Sequence, residues 1–187
     1  MRARILGRSM VWAICLSLLG SVTLPAVSEA KTAREIDASV NAALSRFTRQ
    51  VKGAREFLQA AKGVLVFADV YQAGAGIGAQ YGEGALRIRA KTAAYYSISS
   101  ASIGFQLGAQ KKDIILVFLQ DAALRDFRAK QGWQVGVDGS VVMLDKGAQA
   151  SLDTAKFNQP IVGFVVGQQG LMYNLTVEGS KISKMRK

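Results

Sequence analysis

Apolar residues recur every three or four positions after Thr32. Ile36, Val40, Leu44, Phe47, Val51, Ala54 and Leu58 form the series. At 100° per residue they fall within an arc of ~80°, a narrow apolar stripe on one helix. Thr32 and Glu35 have capping-box spacing, which places the helix start. Arg34, Arg46, Arg49 and Lys52 fall on the opposite side, and Gly53 is a point where the helix kinks or splits. Such a stripe fits either packing on a domain core or lying on a membrane with the basic face toward head groups.

From Gly63 the pattern changes to strand. Residues 64–70 form a dense apolar run, as for a strand buried on both faces. A glycine-rich bend follows, then a strand to about Lys91, strands near 94–99 and 103–109, and another apolar run at 114–119. Asp121 is the expected N-cap of a short helix over 122–130, ended by Gly132. Asp138-Gly139 between 133–137 and 141–144 predicts one hairpin. A loop with some helix is expected over 145–158. Gly167-Gln168-Gln169-Gly170 between 161–166 and 171–177 predicts a second hairpin. The fold class is α+β: an N-terminal amphipathic helix packed on a strongly curved, mainly antiparallel β-sheet or sandwich.

The first thirty residues read as an export signal for the general secretion route. Arg2, Arg4 and Arg8 precede an uncharged apolar stretch over 10–24, and Ser28-Glu29-Ala30 supplies a cleavage site. The stretch is short for a membrane span of ~20 residues. Cys15, the only cysteine, is an ordinary member of that stretch. The expected organisation is residues 1–30 as signal and 31–187 as one domain, helical over 31–61 and β-rich over 62–187. The expected location is periplasmic, envelope-associated or secreted.

Cleavage leaves 157 residues and takes the net charge from +11 to +9. That length buries ~70% of its unfolded surface without staples. The surplus charge favours anionic partners. Three basic groups are candidate lipid or anion contacts: Arg87, Arg89 and Lys91 along one strand face; Lys111 and Lys112 at a turn between strands; and Lys181 and Lys184 near the C-terminus. Each is equally compatible with a solvated face or a charge-protected edge.

The chain has no histidine, which removes histidine-based triads and histidine-ligated zinc or haem. The only Ser-x-x-Lys spacing, Ser28 to Lys31, straddles the cleavage site. Asp69, Glu83, Asp113 and Glu178 are the carboxylates best placed for acid–base work, or else they cap turns and pair with nearby cations. Gly74, Gly76 and Gly78 lack the following helix that a phosphate loop needs, and fit tight β curvature instead. No enzyme activity, cofactor, metal or nucleic-acid partner is expected.

Several segments then carry a resemblance. They are AKGVLVFADVYQAGAGIGAQYGEGALRI from Ala61, YYSISSASIGFQLGAQKKDIILVFL from Tyr95, and GLMYNLTVEGSKISK from Gly170. In this order they resemble the SYLF-domain family of lipid-binding proteins, over about residues 57–184. Eukaryotic members link phosphoinositide-rich membranes to actin, and bacterial members carry signal peptides. Gln72 stands where many eukaryotic relatives carry Lys, and Gln168-Gln169 where they carry a Lys-rich turn. The resemblance implies a non-enzymatic protein binding anionic phospholipid or another envelope polyanion. Another envelope protein is the alternative partner.

Overall fold

The computed structural model describes residues 30–144, 158–170, 177 and 179–187, with backbone alone at 103–107 and 170. The export signal with Cys15, the loop expected over 145–157, the second arm of the expected 167–170 hairpin (171–176) and Glu178 lie outside the described residues. Lys31–Lys187 forms one compact unit.

Helix α1, Ala33–Gln50, begins on the predicted capping box. Thr32 Oγ1 accepts from the Glu35 amide, and Glu35 Oε2 accepts from the Thr32 amide at 2.7 Å. Ile36, Val40, Ala43 and Phe47 are buried. Gly53, at φ 84, splits the helical segment and starts α2, Ala54–Ala60. The apolar stripe is therefore spent on the core: α1 and α2 pack on alternate residues of the sheet, including Val64, Val66, Ile115, Val117 and Phe164.

Two very long strands follow. β1 is Gly63–Ile88 and β2 is Lys91–Phe118, antiparallel along their whole length. The separate strands expected here merge into one hairpin, because the glycines bend the ribbon without ending it. Arg89 (φ 49) and Ala90 (φ 64) form its two-residue turn. The ribbon then folds back over itself. A Cβ on Gly84 would lie 2.0 Å from the Val66 carbonyl oxygen, and one on Gly82 would lie 2.7 Å from Val70 Cγ2. Only glycine permits that approach. The run 64–70 is thus buried on both faces, as the unbroken apolar pattern predicted.

Helix α3, Asp121–Ala129, starts one residue earlier than expected, with Gln120 at the N-cap. Its Phe127 meets Phe118 at 5.1 Å and Trp133 at 5.6 Å, between ring centres, in a second core on the other sheet face. The remaining strands are β3 (Gly132–Gln134), β4 (Val142–Leu144), β5 (Ile161–Gly170) and β6 (Lys181–Met185). The sheet order is β3-β6-β2-β5-β4, with β1 on the other edge of β2. The fold is α+β, with a helix on a strongly curved, mostly antiparallel sheet.

Two expected hairpins are corrected. β3 pairs with β6, while β4 runs parallel to β5, so Asp138-Gly139 does not join paired strands. Asp138 instead closes a local turn, accepting from the Gln134 amide at 2.7 Å and pairing with Lys130. Gly167 to Gly170 is strand, not turn: Gln169 and Gly170 continue β5 opposite Lys111 and Gln110.

Candidate functional site

The seven candidate cations do not form three equivalent patches. Arg87, Arg89 and Lys91 do not share a strand face, because the turn at 89–90 interrupts the alternation. The Arg87 side chain is 14% exposed and lies against α1, with Nη2 3.3 Å from Asp37 Oδ1 and donating to Asn41 Oδ1 at 3.0 Å. Asp37 also accepts from Thr92 Oγ1 at 2.8 Å and the Tyr95 hydroxyl at 3.1 Å. Burial, then the hydrogen bond and charge of Asp37, push the Tyr95 hydroxyl above its ordinary pKa. Arg89 and Lys91 are exposed. Beside the turn is a cavity of about 470 Å³, walled by Leu44, Leu58, Ala61 and Val64, with Arg87 and Arg89 also lining it.

Lys111 and Lys112 sit within β2, not at a turn. Neighbouring residues of a strand point to opposite faces, so one of the pair must go in. Lys111 points out, 2.8 Å from Asp69 Oδ1 and 5.8 Å from the Tyr71 ring centre. Lys112 points in and is 1% exposed. It donates to Gln72 Oε1 at 3.1 Å, which also accepts from Gln110 Nε2; Gln168 Nε2 in turn donates to Gln110 Oε1 at 2.8 Å. Burial pushes the Lys112 ammonium down to about 8. Lys112 is therefore a buried member of a glutamine network and not an anion contact. Gln72 and Gln168 belong to the same network. Lys181 and Lys184 are exposed on β6.

Each described candidate carboxylate has a cation nearby. Asp113 accepts from Arg46 Nε at 2.6 Å and Nη2 at 3.0 Å, and from the Asp69 amide at 3.0 Å. The hydrogen bond to Asp113 raises the Arg46 pKa. Arg46, expected on the open side of the helix, instead reaches the sheet. Asp69 lies between Lys111 and Lys31, the latter at 3.6 Å. Burial pushes the Asp69 carboxyl up, but the hydrogen bond and charge of Lys111, with Lys31 and Arg46, outweigh it and hold the pKa low. Glu83 accepts from the Tyr81 hydroxyl at 3.1 Å and lies 3.6 Å from Lys187 Nζ.

One surface feature escaped the sequence reading. Along β1, Tyr71, Ala73, Ala75, Ile77, Ala79 and Tyr81 are all exposed, whereas Gln72, Gly78, Gln80 and Gly82 are buried. The usual polarity of a half-buried strand is inverted. The signal is the strict alternation of apolar residues with Gln and Gly over 71–82, which glycine's role in β curvature masks.

These observations define an α+β half-barrel domain with exposed cations and one apolar ribbon. Residues 99–187 match the Ysc84 family model, described as Las17-binding protein actin regulator, which is the SYLF-domain family that the sequence resembles. The match runs from within β2 to Lys187, so the Ala61-Lys62-Gly63 and Ala73-Gly74 motifs precede it. No curated protein matches the chain.

Proposed function

We propose that this is a non-enzymatic, exported protein that binds anionic lipid or another envelope polyanion through its basic exterior. The observation that carries the reading is that Arg89, Lys91, Lys181 and Lys184 are exposed and make no ion pair among the described residues. A Lys or Arg held near an anionic membrane contributes ~1 kcal/mol, so a few such residues give useful affinity together. Export by the general secretion route agrees with the N-terminal sequence pattern and with the absence of cysteine after Ala30. The family description, which names binding of Las17, favours a protein partner as the second reading.

Cosedimentation with vesicles tests the first reading. Protein beginning at Lys31 should bind vesicles rich in acidic lipid better than neutral ones. Binding should weaken as salt rises, because exposed charges are screened within ~8 Å at physiological ionic strength. Replacing Arg89, Lys91, Lys181 and Lys184 together should weaken it further without unfolding. Equal binding to both vesicle types at low salt, or none to either, would refute the electrostatic reading and promote the protein partner. Intact-mass analysis of the exported protein, expected to begin at Lys31, tests the export reading.

A further inference from the structure

We infer that the bent ribbon formed by residues 71–81 of β1 and 99–110 of β2 is the part of this protein that enters the lipid interface. This rests on the lipid-binding reading above and names the surface that would make the apolar contact.

Among the described residues the ribbon stands apart from the rest of the sheet. Along one edge β2 pairs with β6 at residues 95–99 and with β5 at 110–118. Between these segments, β2 pairs only with β1 among the described strands. Its outward face is apolar in the middle and aromatic at both ends: Ile77 is 71% exposed, Tyr71 60% and Tyr81 53%, with alanines between them. Neither 71–81 nor 99–110 contains a charged residue. In a chain carrying 24 basic and 13 acidic residues, an exposed uncharged stretch of this length needs a reason. The inward face carries the glutamines: Gln110 is bonded to both Gln72 and Gln168, while the buried Gln80 Nε2 has no partner among the described residues. Polar inside and apolar outside is the alternation of β-structure that faces lipid. Tyrosine, with an apolar ring and a polar tip, suits the head-group level.

Charge at the margins selects lipid as the occupant. Lys111 lies beside Tyr71. At the other end Tyr81 pairs with Ser99, and Ser99 with Lys181, so an exposed lysine shares the face with the second tyrosine. At the first corner Asp69 and Asp113 are outnumbered by Lys31, Lys111 and Arg46, and at the second Glu83, bonded to the Tyr81 hydroxyl, is outnumbered by Lys187 and Lys181, leaving positive charge in excess at both. An apolar centre with cationic margins complements an anionic bilayer. Insertion is shallow, because among the described strands this part of β2 pairs only with β1, and unpaired backbone polar groups cannot be satisfied in hydrocarbon.

The test uses protein beginning at Lys31, the compact unit, which contains no cysteine. An environment-sensitive dye is placed at Ile77→Cys and, as a control, at Val137→Cys, which is 73% exposed at the Asp138 turn. Vesicles contain phosphatidylcholine and phosphatidylglycerol, with a quencher at shallow depth. The dye at 77 should shift to the blue and be quenched, while the dye at 137 should not respond. Ile77→Glu should lower vesicle affinity about tenfold or more, with an unchanged melt, because a charge on a lipid-facing position opposes insertion. If Ile77→Glu binds as tightly as the parent and the dye at 77 stays in water, the inference falls while the lipid reading stands. If the parent binds no vesicles, both fall. A blue shift that needs only high protein concentration would overturn the inference in favour of a second copy covering the ribbon.

Discussion

Replacing Phe47 by alanine separates the two roles open to the N-terminal helix. Phe47 is fully buried, and its ring lies 4.8 Å from that of Phe164 on β5, which also meets Phe57 of α2 at 5.1 Å. One ring thus helps join α1, α2 and the sheet. Deleting a buried phenylalanine costs ~3–5 kcal/mol, and a lost ring pair adds ~0.5–1.5 kcal/mol beyond area alone. The cavity sits between helix and sheet, where the partners are held by their own backbones and cannot collapse freely. The upper part of the range, about 4–5 kcal/mol, is therefore expected. For a domain of this size each kcal/mol moves Tm by roughly 2–4 °C, so the variant should melt roughly 8–20 °C lower. Thermal and urea melts measure this, and vesicle binding is measured below the lowered Tm. The folded fraction should bind vesicles like the parent. A melt within a few degrees of the parent, together with lost vesicle binding, would refute the core assignment and return the stripe to the membrane.

Arg46→Met leaves the Asp113 carboxylate, only 3% exposed, without its cation. It should cost about 3–5 kcal/mol in urea melts, and combining it with Asp113→Leu should recover much of that loss. Gly84→Ala places a methyl group against the Val66 carbonyl oxygen and should destabilise by ~1–3 kcal/mol or more as the crossing strands move apart. Lys112 has a folded pKa of about 8 against an ordinary 10.5, so the unfolded chain binds more protons between those values. Its contribution to stability should therefore rise with pH across that window, by up to about 3 kcal/mol, and Lys112→Met should remove the slope in a pH series of melts.

The helical part of the fold was legible because its signals are local. Thr32 and Glu35 are three residues apart, and the stripe follows one period. Residues 64–70 announced burial on both faces by lacking any alternation. The failures are non-local. Asp138-Gly139 has the chemistry of a hairpin, but the following strand finds its partner in β5 and not in β3. Lys111-Lys112-Asp113 interrupts two apolar runs and so resembled a turn. Within a strand the same three residues become one outward lysine, one buried lysine and one carboxylate held by Arg46, 67 positions earlier. No spacing rule reveals that partnership. Among the candidate cations, the sequence alone could not separate Arg87 and Lys112, held by Asp37 and Gln72, from Arg89 and Lys181, which remain on the surface.

The division of the ribbon into a buried and an exposed part also bears on how binding would proceed. Helices α1 and α2 cover one face of the central sheet, and the folded-back hairpin with α3 covers the other. Most of the α1 stripe is therefore taken up by the core, with Leu44 and Leu58 partly open at the cavity beside Arg87 and Arg89. Outside, among the described residues, lie cations spread over separate elements, the isolated Val137 and Val142, and one contiguous apolar face around Ile77. Spread charge acts at a distance and fades with salt, so on the lipid reading Arg89, Lys91, Lys181 and Lys184 set how often the protein meets an anionic surface. Apolar contact acts only on touching, so Ile77 and its flanking tyrosines set how long it stays. Salt should then slow association, whereas Ile77→Glu should speed dissociation, and a single electrostatic patch doing both jobs would couple the two rates.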